Sequence, residues 1–189
     1  LNGLFNTMEN DGADFWGMTD HTFTEFGMPG TDECIPRHIQ SYFMVFTQKV
    51  VKSKEFFQFW NNIEDFKDVF NVIQKYETRI TGVLEAAGFR SSTLINTDQY
   101  SKDNRIDTPN YSEMQPLIMI KEGIPFIKVK SFLWTPHNQI IKNIKLNSRY
   151  PTKLIRKHTS DMGIAVPIKR RIKLFVIDRT ENYQILYII

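Results

Sequence analysis

RHIQSYFMVF, Arg37 to Phe46, is the stretch on which the fold turns. Aromatic and β-branched residues dominate it, and it lies between Pro36 and a Lys-rich helix start, so it reads as a strand. The strand opens on polar groups: His38, Gln40, Ser41 and Tyr42. Side chains alternate along a strand, which puts His38, Gln40 and Tyr42 on one face. They either tie the neighbouring loop to the sheet or read a ligand. Both roles require hydrogen-bond partners, because buried polar groups are rarely left unpaired.

On the N-terminal side, ADFWGMTD (Ala13 to Asp20) reads as a short buried strand ending in a polar turn. Residues 21–36, rich in Gly, Pro, Thr and Asp, read as a long loop, and long loops inside compact domains tend to be functional. On the C-terminal side, Ser53 caps a helix, with Phe56, Trp60 and Ile63 on one face. A second helical segment starts near Glu64. A third runs from Val72, placing Tyr76, Ile80, Val83, Leu84 and Ala87 on one side, and Gly88 stops it.

FRSSTLIN (Phe89 to Asn96) reads as the next strand, and residues 98–110 as a polar loop. SEMQPLIMIKEG is a helix opened by Ser112, and IPFIKVKSFLW a strand or extended segment. Two short basic helices follow. The end, from Ile168, shows two β-rich runs around DRTEN, a hairpin signal. Strands interleaved with helices predict an α/β fold with a mixed sheet flanked by helices.

The 189 residues suit one domain with a core, or part of a larger one. A hydrophobic share of 41% and an aromatic share of 13% exclude a disordered chain. No apolar run approaches the roughly 20 residues of a membrane span. No signal peptide is visible, and the single Cys34 builds neither an internal disulfide nor a Cys-cluster metal site, which fits a reducing cytoplasm. The chain starts on Leu, so it is expected to be a piece of a longer protein.

The net charge of +3 hides an asymmetry. Residues 1–36 carry acids and no Lys or Arg, whereas residues 142–173 carry ten bases against Asp161. The basic part is either a solvated face or a surface for an anionic partner: phosphate, or an anionic membrane face. Nucleic acid is not expected, because the bases lie on ordinary helices without interleaved stacking aromatics.

Several sites are absent from the sequence: GxGxxG, the phosphate-binding GK[ST] loop, HExxH and GxSxG. Three constellations remain. Asp20 and His21 end a buried strand, where open α/β sheets place ligands; Asp20 there could hold a divalent cation or a sugar hydroxyl, or merely cap the loop. In KYETRIT, Glu77 and Thr81 share a helical face and Arg79 lies between them; Glu77 suits a general base, and is equally favoured early in a helix by the dipole. In PFIKVKSF, Lys128 and Lys130 share a strand face and could neutralise a diphosphate, or simply protect an edge strand.

Taken in order, ADFWGMTD, RHIQSYFMVF, SKEFFQFWNNI, YETRITGVLEAAGF, PLIMIKEGIPFIKVKSF and SRYPTKLIRKH resemble the rhamnan synthesis protein F family, bacterial glycosyltransferases or glycosyltransferase-like proteins of polysaccharide and lipopolysaccharide assembly. The resemblance runs from about Phe5 to His158, and HIQSYF before an aromatic helix is its most specific part. It implies a GT-A-like glycosyltransferase fold or its C-terminal half, a glycosyltransferase-like domain over residues 1–162 lacking its N-terminal part, and a β-rich tail over 163–189.

It further implies a nucleotide-sugar donor, a divalent Mg or Mn ion, and a glycan or lipid-linked oligosaccharide acceptor, at the cytoplasmic side of a membrane. An Asn-Asp-Ser stretch of the family precedes the segment where this chain starts, so the donor and metal half is expected upstream. In that frame Glu77 is the base and Asp20 the second choice, as well as the metal ligand. Lys128 and Lys130 contact phosphate, Trp16 or Tyr42 stacks on a sugar ring, and His38, Gln40, Arg79 and Thr81 complete the substrate contacts. The competing expectation is a non-catalytic module binding glycan or a partner chain.

Overall fold

The computed structural model describes residues 2–21, 24–27, 34–101 and 111–164. Helix α1 (Asn2–Asn10) leads into β1 (Phe15–His21). The segment 21–36 was expected to be a loop, yet β2 (Thr24–Gly27) and β3 (Cys34–Ile35) pair antiparallel within it as a separate small sheet. Then come β4 (His38–Ile39) and β5 (Met44–Phe46), the short helix α2 (Gln48–Val51) and α3 (Lys54–Asn61). Helix α4 (Val69–Val72) passes through a π-helical turn (Ile73–Glu77) straight into α5 (Thr78–Ala86). Strand β6 (Ser91–Ile95) and helix α6 (Asp98–Ser101) follow. The C-terminal part is helical: α7 (Tyr111–Met114), α8 (Pro116–Lys121), α9 (Ser131–Trp134), α10 (His137–Asn147) and α11 (Thr152–Asp161). The fold is α/β, with a mixed sheet flanked by helices. The expected tail hairpin, and the loop at 102–110, lie outside the described residues.

Strand β1 is the centre of the main sheet. All seven of its residues are buried, as a strand covered on both faces must be. Strand β6 pairs with it in parallel, Phe15 opposite Ser91 through Thr19 opposite Ile95. Strands β4 and β5 both pair with it antiparallel. RHIQSYFMVF is therefore not one strand. Asp20 faces Ile39, and an unbroken register would put residue 42 opposite Gly17; Met44 stands there instead. Two extra residues are accommodated in a turn at Ser41 and Tyr42. Gly17 makes room for this: a Cβ on it would lie 2.2 Å from Ile39 Cγ2 and 2.9 Å from the Phe43 carbonyl oxygen.

Three apolar clusters hold the elements. One side of the sheet packs Trp16, Met18 and Ile95 with Met8, Met119 and Ile124. The other side packs Phe15 and Ile39 with Val50, Ile80 and Leu84. The third cluster is helical, joining Ile120, Phe132, Ile140 and Ile144. Consecutive residues of α8, Met119 and Ile120, thus belong to different clusters, so α8 couples the sheet to the C-terminal helices.

Local signals place several helix ends. Ser53 Oγ accepts from Phe56 N at 3.2 Å and starts α3. Gly88, with φ of 86°, follows α5 in the left-handed conformation that glycine tolerates best. The helix expected near Glu64 begins later, at Val69, where Asp68 Oδ1 accepts from Phe70 N at 3.0 Å. IPFIKVKSFLW, expected as a strand or extended segment, pairs with no described strand; an irregular stretch and a turn at 129–130 lead into α9. Its backbone groups bond locally, Ser131 N to Lys128 O at 3.0 Å and Phe132 N to Val129 O at 3.1 Å. Its apolar residues serve two clusters, Ile124 the first and Ile127 and Phe132 the third, which a flat strand face could not do.

Candidate functional site at the carboxyl end of strand β1

The polar residues of β1 and β4 meet where β1 ends. Antiparallel pairing sets His21 opposite His38, and their rings stack with centroids 4.9 Å apart and planes 20° from parallel. Both are buried. His38 Nδ1 lies 2.8 Å from the Pro36 carbonyl oxygen, so Nδ1 carries the proton and Nε2 keeps its lone pair. His21 Nε2 is buried with no hydrogen-bond partner among the described residues. Burial pushes the His21 pKa down to about 4, helped by His38 and Lys128 and opposed by Asp20. Burial also lowers the His38 pKa, against the Pro36 carbonyl, Glu77 and Asp20, which favour its charged form. The pair is therefore neutral at pH 7.

Of the two roles left open for Asp20, ligand contact or a structural tie, its hydrogen bonds match the second. Its Oδ1 accepts from Thr97 N at 2.7 Å and Thr97 Oγ1 at 2.8 Å. Its Oδ2 takes the fork of Arg37, Nε at 3.1 Å and Nη2 at 3.0 Å. The side chain is wholly buried. Four donors on one carboxylate leave it no room as a base or a metal ligand; Asp20 ties β1 to the end of β6 and to the start of β4. Among the described residues no group of three His, Cys, Asp or Glu could hold a metal ion.

The alternation expected for His38, Gln40 and Tyr42 stops at the turn, because the register slips there. Gln40 and Tyr42 meet nonetheless on the buried Thr19. Thr19 Oγ1 donates to Gln40 Oε1 at 2.9 Å. Its single proton is then used, so the Tyr42 hydroxyl, 3.1 Å away, donates to Thr19. Burial pushes the Tyr42 pKa up to about 12, which keeps that proton in place. Lys128 Nζ stands 4.8 Å from the Tyr42 ring centroid, a cation–π distance. Burial lowers the Lys128 pKa, while Glu77 and Glu113 favour its charge.

Glu77 and Thr81 come to β4 from the helix side, on one face as their spacing predicts. Thr81 Oγ1, fully buried, accepts from Ile39 N at 2.9 Å. Glu77 Oε1 lies 3.4 Å from Ser41 N. It does not sit at a helix N-terminus, as the sequence suggested, but at the end of the π turn, a rare local widening that often occurs at functional sites.

Arg79 and Trp16 are not in this cluster. Arg79 faces an open groove of about 480 Å³ lined by Asn62, Glu64, Gln74, Lys75 and Tyr76. Trp16 is 3% exposed, packed edge-on by Phe5 at 5.3 Å and against Phe43 at 5.7 Å, with no ring face for a sugar. Lys130 is exposed and does not share a strand face with Lys128. Sequence reasoning passed over Arg37 and Thr97 as partners of Asp20, and His21 as the partner of His38. The signal for His21 was the strand pairing itself, which a sequence does not print.

The chain matches the rhamnan synthesis protein F family over residues 1–182. It belongs to that family. The family ties it to rhamnan and polysaccharide synthesis. A curated relative, the uncharacterized protein y4gN of Sinorhizobium fredii, is 39% identical over 65 residues, which are 34% of this chain and 17% of that protein. The aligned part thus spans about a sixth of that relative's length. No solved structure matches.

Proposed function

We propose that this rhamnan synthesis protein F family member serves the acceptor side of a GT-A-like glycosyltransferase, which transfers a sugar such as rhamnose from a nucleotide-sugar to a glycan or lipid-linked acceptor in the cytoplasm. The observation that carries the reading is the convergence of Glu77, Lys128, His38 and Tyr42 at the end of β1. Glycosyl transfer needs a base for the acceptor hydroxyl and positive charge near the departing diphosphate. Of the two described acids that act on the histidine pair, Asp20 and Glu77, Glu77 is the one whose oxygens are not saturated by strong donors, so it is the base. Lys128, half-buried and fixed over Tyr42, supplies charge to a phosphate oxygen. His38, neutral with its Nε2 lone pair available, accepts from a sugar hydroxyl. Asp20, Thr19 and Gln40 brace these groups and do not touch substrate. No step is routed through a metal, because Asp20 does not fit as its ligand.

Calorimetric and thermal-shift titrations test this, since a ligand of the native state raises apparent stability by mass action. The expected result is that rhamnose oligosaccharides raise the unfolding temperature and that Lys128→Ala, with its fold retained, abolishes the shift. UDP, GDP and dTDP, each with and without Mn²⁺, complete the series, and a shift with one of them names the donor. If neither glycan nor nucleotide binds, the reading is overturned. The saturated Asp20 favours a second reading, a binding module without chemistry. Turnover by the longer protein separates the two: Glu77→Gln should cut it at least about 100-fold if Glu77 is the base, and leave glycan binding unchanged in either case.

A further inference from the structure

We infer that helices α10 and α11 form a docking face for an anionic lipid bilayer. The groove beside Arg79 is lined by both charges and favours no one ligand class, and the His21–His38 pair belongs to the site above. The C-terminal helices differ from both, because charge and exposed apolar surface coincide there.

In α10 the buried side is set by Ile140, Ile141 and Ile144. Lys142 and Leu146, four residues apart, therefore share the opposite side. Leu146 is 71% exposed, and Tyr150 and Leu154, just beyond it, are 54% and 56% exposed. Interspersed with them in the sequence are Lys142, Lys145, Arg149, Lys153, Arg156 and Lys157, all exposed. The one acid among residues 137–164 is Asp161, held by Lys157 at 2.8 Å. An apolar side chain in water beside five further cations gains nothing within the fold. On a bilayer with acidic headgroups, the cations meet phosphates while leucine and tyrosine enter the headgroup boundary. No described helix is long and apolar enough to cross a membrane, so the contact is peripheral. The inference does not rest on the sugar-transfer reading; it places the chain where lipid-linked acceptors lie.

Vesicle co-sedimentation of the chain tests it. With vesicles of 30% phosphatidylglycerol in phosphatidylcholine, binding is expected at low salt and should fall steeply toward 0.5 M NaCl, where charge attraction is screened. Pure phosphatidylcholine vesicles should bind little. The variant Lys142→Gln/Arg149→Gln/Lys153→Gln should weaken partition roughly 100-fold, at about fivefold per basic residue. Leu146→Ser/Leu154→Ser changes no core residue; it should retain the unfolding midpoint and lose most of the binding that survives at high salt. Equal binding to neutral and acidic vesicles, or an unchanged partition in both variants, overturns the inference. So does charge-dependent binding that soluble polyanions such as heparin reproduce and the leucine variant does not affect, which would mark a plain polyanion site.

Discussion

The stacked imidazoles give the site a pH dependence whose sign is fixed by burial. A histidine in the unfolded chain titrates near 6.5. In the fold His21 titrates near 4, and His38 is lowered too. Asp20, Glu77 and Lys128 are the charged groups that face the pair, and none of them offsets the loss of water. The unfolded state therefore binds more protons between these values, and stability rises with pH across them. It is complete above pH 6.5 and drains away as pH falls toward 4. At 1.36 kcal/mol per pKa unit, His21 accounts for about 3 kcal/mol of that loss. Urea midpoints measured from pH 7.5 to 4.5 should fall, and His21→Gln, which cannot titrate, should flatten the slope. Parallel slopes in wild type and variant would place the pH dependence elsewhere.

At the scale of elements, the interrupted strand governs what the site is. Two residues more than the register needs bulge out at Ser41 and Tyr42, and the bulge carries Tyr42 back toward Thr19 and beneath Lys128. Gly17 is the residue of β1 that permits it. Gly17→Ala would drive a methyl group into Ile39 Cγ2 and the Phe43 carbonyl, and backbone cannot yield cheaply. Overpacking of this kind costs about 1–3 kcal/mol. The expected outcome is a lowered unfolding midpoint together with loss of the proposed glycan binding, because β4 and the turn move first; a variant as stable as wild type would show that β4 slides freely.

Little of this was legible beforehand. Composition and periodicity gave β1, β6, α3 and α5, since those elements bury apolar faces in regular patterns. They gave His38, Gln40, Tyr42, Glu77 and Lys128 as polar residues in apolar surroundings. They could not give the register slip: Gly17 is visible, but the slip depends on which residues of β4 and β5 come to face it, and that pairing is set only in three dimensions. They left the role of Asp20 open for the same kind of reason. Its four donors come from Thr97, 77 residues away, and from Arg37 across the intervening loop segment. A carboxylate at the end of a buried strand looks the same in sequence whether it waits for a ligand or is already full. IPFIKVKSFLW failed differently: alternating apolar residues suit a strand, but among the described residues no strand pairs with it.

At the scale of the molecule, the sheet and the C-terminal helices are joined through α8 and the segment that follows it, where Phe126 stacks on Phe43 at 5.0 Å. Ile140 is fully buried in the helical cluster, while Phe15, Met18 and Leu84 are fully buried around the sheet. Helix α8 contributes to both bodies, Met119 to one and Ile120 to the other, and so does the segment after it, Ile124 to the first and Ile127 to the second. Units built this way can open separately, with their own free energies. Ile140→Ala should cost about 2–5 kcal/mol by leaving a cavity among Ile120, Phe132 and Ile144. If the helices form their own cooperative unit, that loss is local. Amide exchange would then speed up along α10 and α11 and stay slow in β1 and β6, whose backbone bonds belong to the sheet. A uniform acceleration through β1 would show that α8 transmits the defect and that the chain unfolds as one body. The distinction bears on function, because a helical unit that yields on its own can settle against a bilayer without disturbing the residues gathered at the end of β1.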